Sequence, residues 1–472
     1  MELYEQIALI SIILITLPSA IVLIMQAIFY IIGKRKSYTD IIPQNIVKDK
    51  VSVIIPVRNE PPEILDDALK HLSTWNMRKR LEIIIVADDD ENHVKYTRDV
   101  VEKWKKKLNI IFLWRSFPRG YRTGALNDGL MVSTGKYIYV MDVDSRISED
   151  TLLKAISILN ENKQAVAIVI RWKGLNRDTR LSEAISTAMD FIVDSIYRGR
   201  ASLKLPVFPT GTGTVYRSSY LKEVLHGWDE NRIQDDMEIG ARIMSYGLKV
   251  LYIDNDCVFV EVPRRFRSFR IQQERWVYGT LDVVITRFKE ILTSKMPWYA
   301  KLEALTFLLQ YVPLFTTCLG LLIIIFIGVS WSIDPFKMYW YLPVVWFISA
   351  IMYASSFIDS ARNHGLSTWR ALVNLGRISA ATVAITPTIV KATIKALLRR
   401  KMVYKRTPKG SFEAILTHRL RLPSELLMGI VSFFSAILFI IMKLHYSGLW
   451  LLAYSLGYIY SFIRWGRDML FK

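Results

Sequence analysis

Cysteine is nearly missing: Cys257 and Cys318 are the only two, with no paired metal-ligand spacing, which excludes a disulfide framework and a cysteine zinc site. The catalytic part is therefore expected to work in a reducing compartment. No Gly-x-x-x-x-Gly-Lys-Ser/Thr loop occurs, which excludes a nucleoside-triphosphate motor of that type. Charge is missing from the central parts of the long apolar runs, where a transporter or membrane scaffold with an ion path would need it. Internal repeats and low-complexity tracts are also absent.

What is present is apolar residue in excess: 51% of the 472 residues are hydrophobic, more than a soluble core of this size requires. Residues 7–32 carry no charge and are long enough to cross a bilayer. The chain starts Met-Glu-Leu-Tyr-Glu and the run ends in Gly33-Lys34-Arg35-Lys36, unlike a cleaved signal peptide, so a retained span is expected. The basic cluster sets its orientation, with the amino terminus outside and the following domain cytoplasmic. Further runs at residues 305–333, 338–358, 426–442 and 448–463 give five spans and an inside carboxyl terminus. Residues 366–398 carry Arg377, Pro387, Lys391 and Lys395, and are expected to form an amphipathic helix in the cytoplasmic interface. The net charge of +19 gathers beside these runs, around residues 34–36, 399–409 and 464–467, which fits anionic lipid and argues against nucleic acid.

Between residues 51 and 249 short β-branched runs alternate with amphipathic segments, the pattern of a mostly parallel α/β sheet covered on both faces. The predicted strands are Val51-Ser-Val-Ile-Ile-Pro56, Leu81-Glu-Ile-Ile-Ile-Val86, Ile110-Ile-Phe-Leu113 and Tyr137-Ile-Tyr-Val-Met141. Ligands of such sheets bind beyond the carboxyl ends of the strands. The division this predicts is residues 1–48 for the first span and its linker, 49–293 for the cytoplasmic domain, 294–365 for two spans, 366–422 for the interface helix and a loop segment, and 423–472 for two spans and a basic tail.

Acids stand at those strand ends. Asp142-Val-Asp144 follows the fourth strand, and paired carboxylates there suit Mg²⁺ or Mn²⁺, which take oxygen ligands and keep substrate phosphates in their shell. Taken alone, the same pair reads as loop acids capping the helix that begins near Glu149. Asp88-Asp89-Asp90 follows the second strand, and Asn59-Glu60 the first. Arg119-Gly-Tyr-Arg-Thr-Gly opens a helix where backbone N–H groups and Arg122 suit an anion. Phe208-Pro-Thr-Gly-Thr-Gly-Thr214 offers small residues that let a ligand approach the backbone. Gln234-Asp235-Asp236-Met-Glu238 opens another helix, where acids also serve the helix dipole.

Gln272-Gln-Glu-Arg275-Trp276 completes the series, and with it the sequence resembles the membrane family 2 glycosyltransferases, the group of cellulose, chitin and hyaluronan synthases. The resemblance covers residues 51–279 with the flanking spans and returns at Arg406-Thr-Pro-Lys-Gly410, which is similar to the gating-loop motif of those synthases. It implies a GT-A domain, a Rossmann-like nucleotide-sugar-binding fold, set among about five membrane helices and amphipathic interface helices. It also implies inverting hexosyl transfer from a nucleotide sugar, a uridine diphosphate sugar being the family's usual donor, to a growing polysaccharide with coupled export. The other outcome is addition of one sugar to a lipid such as a diacylglycerol, ceramide or polyprenyl phosphate.

Residue by residue, the resemblance implies that Asp88 or Asp89 reads the base and ribose, and that Asp142 and Asp144 hold Mg²⁺ or Mn²⁺ and the donor diphosphate. Glu60, Arg122, Gln272, Arg275, Thr407 and Lys409 join the donor site. Gly211, Thr212, Gly213 and Trp276 match the acceptor end, and Asp236 matches the general base, with Asp235 as its alternative. Asp-Asp-Asp-Glu stands where relatives often have Asp-Asp-Gly-Ser, Gln-Asp-Asp where many have Thr-Glu-Asp, and Arg406 precedes the gating threonine.

Overall fold

The computed structural model describes residues 2–35, 42–43, 48–408, 410, 413 and 422–470. Seven strands form one mixed sheet: β1 (Val51–Val57), β2 (Leu81–Ala87), β3 (Ile110–Trp114), β4 (Tyr137–Val140), β5 (Ala165–Gly174), β6 (Thr214–Arg217) and β7 (Lys249–Val260). Their spatial order is β3-β2-β1-β4-β6-β5-β7. β1 to β4 run parallel, β6 pairs antiparallel with β4 and β5, and β7 runs parallel to β5. The four strands read from the sequence are thus present and parallel.

Their continuous apolar composition follows from burial on both faces. Val51, Val53, Ile55 and Val57 of β1, with Ile83 and Ile85 of β2, enter one core, while Ile54, Ile84 and Val86 enter the other. At the amino end of the strands, buried Glu82 accepts from Lys50 Nζ at 2.8 Å, Ser52 Oγ at 2.6 Å and Thr134 N at 2.8 Å. Burial alone would raise the Glu82 carboxyl, but these bonds outweigh it and lower it to about 2. The opposite end is the important one. The strand order reverses at β1, with β2 on one side and β4 on the other, and that switch point opens a crevice at the strands' carboxyl ends.

Helix α1 (Leu3–Arg35) precedes the sheet; α2 (Pro62–Ser73), α3 (Glu91–Lys105), α4 (Tyr121–Val132) and α5 (Glu149–Glu161) connect its strands. α6 (Arg180–Ile192) runs through a π-helical stretch, Val193–Arg198, into α7 (Gly199–Ser202). α8 (Asp235–Ser245) leads to β7, and α9 (Phe266–Thr293) leaves it. There follow α10 (Trp298–Leu308), α11 (Val312–Trp331), α12 (Pro335–Met338), α13 (Tyr341–Asn363), α14 (Thr368–Ala384), α15 (Thr386–Leu397), α16 (Ser424–Ile441) and α17 (His445–Leu470).

Among the described residues four helices are long and apolar enough to cross a membrane: α1, α11, α13 and α16. A fifth arises if α14 and α15, bent by 49° at their junction, count as one broken span. The expected last span lies in α17, which falls outside these four because Tyr446, Tyr454, Tyr458, Tyr460 and three serines dilute its apolar run; it nevertheless lines up along α16 as a hairpin. The polar stripe of α14 faces protein: Arg370, Asn374 and Arg377 all bond the Glu183 carboxylate on α6. An interface helix was expected from charge alone, and the partner of that charge lies nearly two hundred residues away in sequence.

The membrane helices are fastened to the sheet domain at several points. Gly33 of α1 meets Gly199 of α7 so closely that a Cβ on Gly199 would lie 2.7 Å from Phe29. Lys34 at the end of α1 pairs with Asp359 of α13 at 2.5 Å, which joins two of the apolar helices to each other. Arg270 of α9 pairs with Glu425 of α16 at 3.1 Å, and Asp468 of α17 accepts from the Phe266 backbone N–H at 3.0 Å. These contacts fix α9, which carries the Gln-x-x-Arg-Trp motif, between the sheet and the membrane helices.

Candidate active site

The ends of β1, β2 and β4 deliver three acid groups to one crevice, and each is held differently. Asp88 receives Arg115 in a two-point grip, Nε at 2.6 Å and Nη2 at 2.7 Å. The remaining donors of Arg115 go to Arg119 O, Tyr121 O and Asp128, so this guanidinium is fully used in place. Asp89 accepts from the Asn59 backbone N–H and from Thr97 Oγ1, both at 2.5 Å, and Asn59 Nδ2 donates to Asp90 at 2.8 Å. Asn59 takes φ +49°, a left-handed value that asparagine tolerates better than most residues. Asp88 faces the cavity; Asp89 ties the β1 and β2 loops together and does not line it.

Arg122, in the first turn of α4, bridges the crevice. One nitrogen pairs with Asp235, and Nη2 donates to Asp142 Oδ1 at 2.7 Å and to Gly211 O at 3.0 Å. Burial opposes its charge, yet Asp235 and Asp142 together keep the guanidinium firmly protonated. Asp142 is further placed by its backbone N–H, which donates to Thr212 Oγ1 at 3.1 Å. Asp144 is 7% exposed and lines the same wall. No group of three or more His, Cys, Asp or Glu suited to a metal occurs among the described residues. Two carboxylates beside an open crevice fit a hard divalent cation whose shell is completed by diphosphate and water.

Asp236 sits one residue beyond Asp235 at the start of α8, with its accessible surface turned to the cavity. Enclosure in protein, then the negative charge of Asp235, raise its carboxyl to about 7, against the Met237 N–H bond of 2.8 Å and the cations Arg122 and Arg275. A carboxylate so placed can take a proton near neutral pH.

Residues 404–407 cover the other side. Arg275 Nη1 donates to Tyr404 Oη at 3.0 Å, Tyr404 stacks on Tyr121 with ring centroids 5.5 Å apart, and Arg406 pairs with Glu60. Thr407 is 5% exposed, lines the cavity, and its Oγ1 has no hydrogen-bond partner among the described residues. Lys409 lies outside the described residues.

One cavity of about 490 Å³ joins Glu60, Asp88, Arg122, Asp142, Asp144, Gly211, Thr212, Asp236, Gln272, Arg275, Trp276 and Thr407. Gly213 is off that wall. Its φ of +85° and the close Trp172 and Val258 side chains require glycine there for the turn itself. Sequence patterns did not single out Arg58, Arg115, Tyr197, Tyr311 or Tyr404, although four of these line the cavity and Arg115 fixes a residue that does. Of these, Arg58 lies just before the marked Asn59-Glu60, Tyr311 in the apolar run 305–333 and Tyr404 in the basic run 399–409, but no pattern gave any of them a role.

A mixed sheet whose parallel strands open at a switch point lined by acids, with Asp88 gripped by Arg115 and with Asp142 and Asp144 beyond β4, has the layout expected of a nucleotide-sugar-dependent transferase of GT-A type, and helices apolar enough to cross a membrane flank it. The model for Glycosyl transferase family group 2 matches residues 137–358. A protein of Sulfolobus acidocaldarius described as a probable glycosyltransferase is 33% identical over 460 residues, 95% of this chain and 97% of that protein. The chain belongs to glycosyltransferase family 2. Glucomannan 4-beta-mannosyltransferase 7 of Arabidopsis thaliana is 29% identical over 255 residues, 52% of this chain and 45% of that protein. A mannosyltransferase of Pyrobaculum calidifontis, solved in complex with GDP-Man and Mn²⁺, shares the fold with a TM-score of 0.54 at 17% identity, over 84% of this chain and 100% of that one.

Proposed function

We propose that this enzyme moves a hexose from a nucleotide-diphosphate sugar to a hydroxyl of a membrane-borne acceptor, with inversion at the anomeric carbon. The observation that carries the reading is Asp236: a carboxylate raised to about 7 shares one cavity with the metal-type acids Asp142 and Asp144 and with Arg275 of the Gln-x-x-Arg-Trp helix.

Asp88 and Glu60 hold the nucleoside, with Asp88 fixed by Arg115. Arg122, Arg275 and the Thr407 hydroxyl, which has no partner among the described residues, hold the diphosphate, and Asp142 with Asp144 would hold Mg²⁺ or Mn²⁺. When bound, the metal offsets the charge that grows on the departing diphosphate. Asp236 takes the proton from the acceptor hydroxyl as that oxygen bonds to the anomeric carbon. The bond from that carbon to the diphosphate oxygen breaks, and the nucleoside diphosphate leaves with the electron pair. Trp276, Gly211 and Thr212 border the place where the acceptor meets the donor.

The names of the glucomannan mannosyltransferases support a mannosyl donor beside the uridine diphosphate sugar expected from the synthases. The basic residues Lys34 and Arg35 at the inner end of α1 support a cytoplasmic site with the amino terminus outside. A growing polysaccharide is one acceptor consistent with the Gln-x-x-Arg-Trp helix and the Thr407-Pro408 loop; a lipid is the other.

The test is incubation of the full chain in lipid nanodiscs with radiolabelled GDP-mannose, UDP-glucose and UDP-N-acetylglucosamine, with Mg²⁺ or Mn²⁺. Metal-dependent transfer that disappears in Asp236→Asn, with donor affinity kept, is the expected result. Loss of donor binding in the same variant would refute the role given to Asp236.

A further inference from the structure

The carboxyl ends of three parallel strands place charged residues in one row. Val57, Ala87 and Trp114 are register partners across β1, β2 and β3. The ladder runs one step further, since Asp88 N donates to Val57 O and Arg115 N to Ala87 O, both at 2.9 Å. Arg58, Asp88 and Arg115 therefore follow side by side, an acid between two arginines. The two cations are engaged unequally. Arg115, its side chain 6% exposed, takes both Asp88 oxygens and gives its remaining donors to Arg119 O, Tyr121 O and Asp128. Arg58 is exposed, lines the cavity, and has no hydrogen-bond or ion-pair partner among the described residues. The other arginines of that wall are all engaged: Arg122 with Asp142 and Asp235, Arg171 with Asp194 and Asp254, Arg275 with Tyr404, and Arg406 with Glu60.

A guanidinium presents its N–H groups as a planar fork, which suits two acceptors on one edge of a flat ring. A carboxylate held at both oxygens by one guanidinium has its inner lone pairs taken, and what it offers the cavity is an outer one, enough for a single ring N–H. The row thus matches a base edge with one N–H followed by two acceptors. A 6-oxopurine has that edge: N1–H, then O6, then N7. Uracil has N3–H and O4 and then a carbon, so one arm of the fork is left over. Adenine turns an acceptor toward the carboxylate and an amine toward the guanidinium, wrong at both places. Resting on the transferase reading above, we propose that the donor carries a 6-oxopurine base such as guanine, and that Arg58 is the specificity-determining residue, binding O6 and N7 while Asp88 accepts N1–H. Because Arg115 leaves Asp88 one place to offer, the exocyclic 2-amine of guanine goes unread.

The experiment is calorimetry of the full chain in nanodiscs with Mn²⁺ and five nucleoside diphosphates: GDP, inosine diphosphate, 7-deaza-GDP, UDP and ADP. GDP and inosine diphosphate should bind within about threefold of each other, since they differ only in the unread amine. 7-deaza-GDP and UDP should each bind about tenfold more weakly than GDP, because each leaves an arm of Arg58 without an acceptor, and ADP about a hundredfold more weakly. Arg58→Met should bring GDP and 7-deaza-GDP within about twofold of each other, and Arg58→Lys, which keeps the charge and loses the fork, should do nearly the same. A merely structural role for Arg58 would weaken all five ligands alike and leave their order unchanged. Equal binding of GDP and UDP by the wild type, or an unchanged order in both Arg58 variants, would overturn the proposal while leaving the transferase reading intact. Inosine diphosphate binding about tenfold more weakly than GDP would overturn the single place assigned to Asp88. Binding of none of the five, with no transfer from any labelled donor, would instead overturn the transferase reading.

Discussion

Two acid clusters of nearly the same composition, residues 88–90 and residues 235–236, meet opposite fates in this fold. In the first, every carboxylate is matched: Arg115 grips Asp88, Asn59 and Thr97 satisfy Asp89, and Asn59 reaches Asp90. In the second, Asp235 takes the Arg122 cation, and Asp236 is left with one backbone N–H and a like charge beside it. Acids satisfied by a cation or by several hydrogen-bond donors hold shape; the acid left with one donor and a like charge beside it gains proton affinity. The number of acids in a motif thus says little, and the donors each acid captures in the fold say most.

Breaking the second cluster should have the largest effect. Asp236→Asn is expected to lower kcat by about 10² to 10⁴, the usual range for a lost general base, with donor Kd unchanged. Breaking the grip in the first cluster acts on stability: Arg115→Met strands the Asp88 charge in the interior and should cost about 3–5 kcal/mol, read as a lowered thermal midpoint in nanodiscs, with Asp88→Asn in the same chain restoring part of it. Within that cluster Asp88→Asn should weaken donor binding about tenfold, a loss of about 1.4 kcal/mol, while Asp89→Asn leaves it within about twofold.

The pH profile sharpens the same contrast. Because Asp236 must be unprotonated to act and its carboxyl is raised to about 7, activity should rise through that pH and level off above it. Removing the neighbouring like charge with Asp235→Asn lowers that value, so the rising limb should move toward acid by about one unit. The smallest effect is at residues 404–407. Thr407→Val removes a hydroxyl that has no partner among the described residues and is assigned here to the donor, and should weaken donor affinity about fivefold, about 1 kcal/mol, without lowering stability.

The parallel half of the sheet was legible because strands buried on both faces read as unbroken β-branched runs, as β1 and β2 do. The acids at their ends were legible for the same reason, since a strand that stops tells where its next residue lies. β6 was not, because a four-residue strand, Thr214–Arg217, inserted antiparallel between β4 and β5 leaves too short a pattern. Gly213 was read as room for a ligand and proves to be a turn requirement. Residues 366–398 were read as a helix in the cytoplasmic interface, and nothing local announces that Arg377 has Glu183 as its partner. Tyr197 and Tyr311 belong to no motif, and only the folded chain brings them to the cavity that Asp236 lines.

The central claim is a single displacement driven by Asp236, and the most direct test is the configuration of the new glycosidic bond. Proton NMR of product made from an α-linked donor such as GDP-α-mannose should show a β linkage from the first turnover. An α linkage would mean retention, and with it a covalent or front-face route in which Asp236 does not act as the base proposed here.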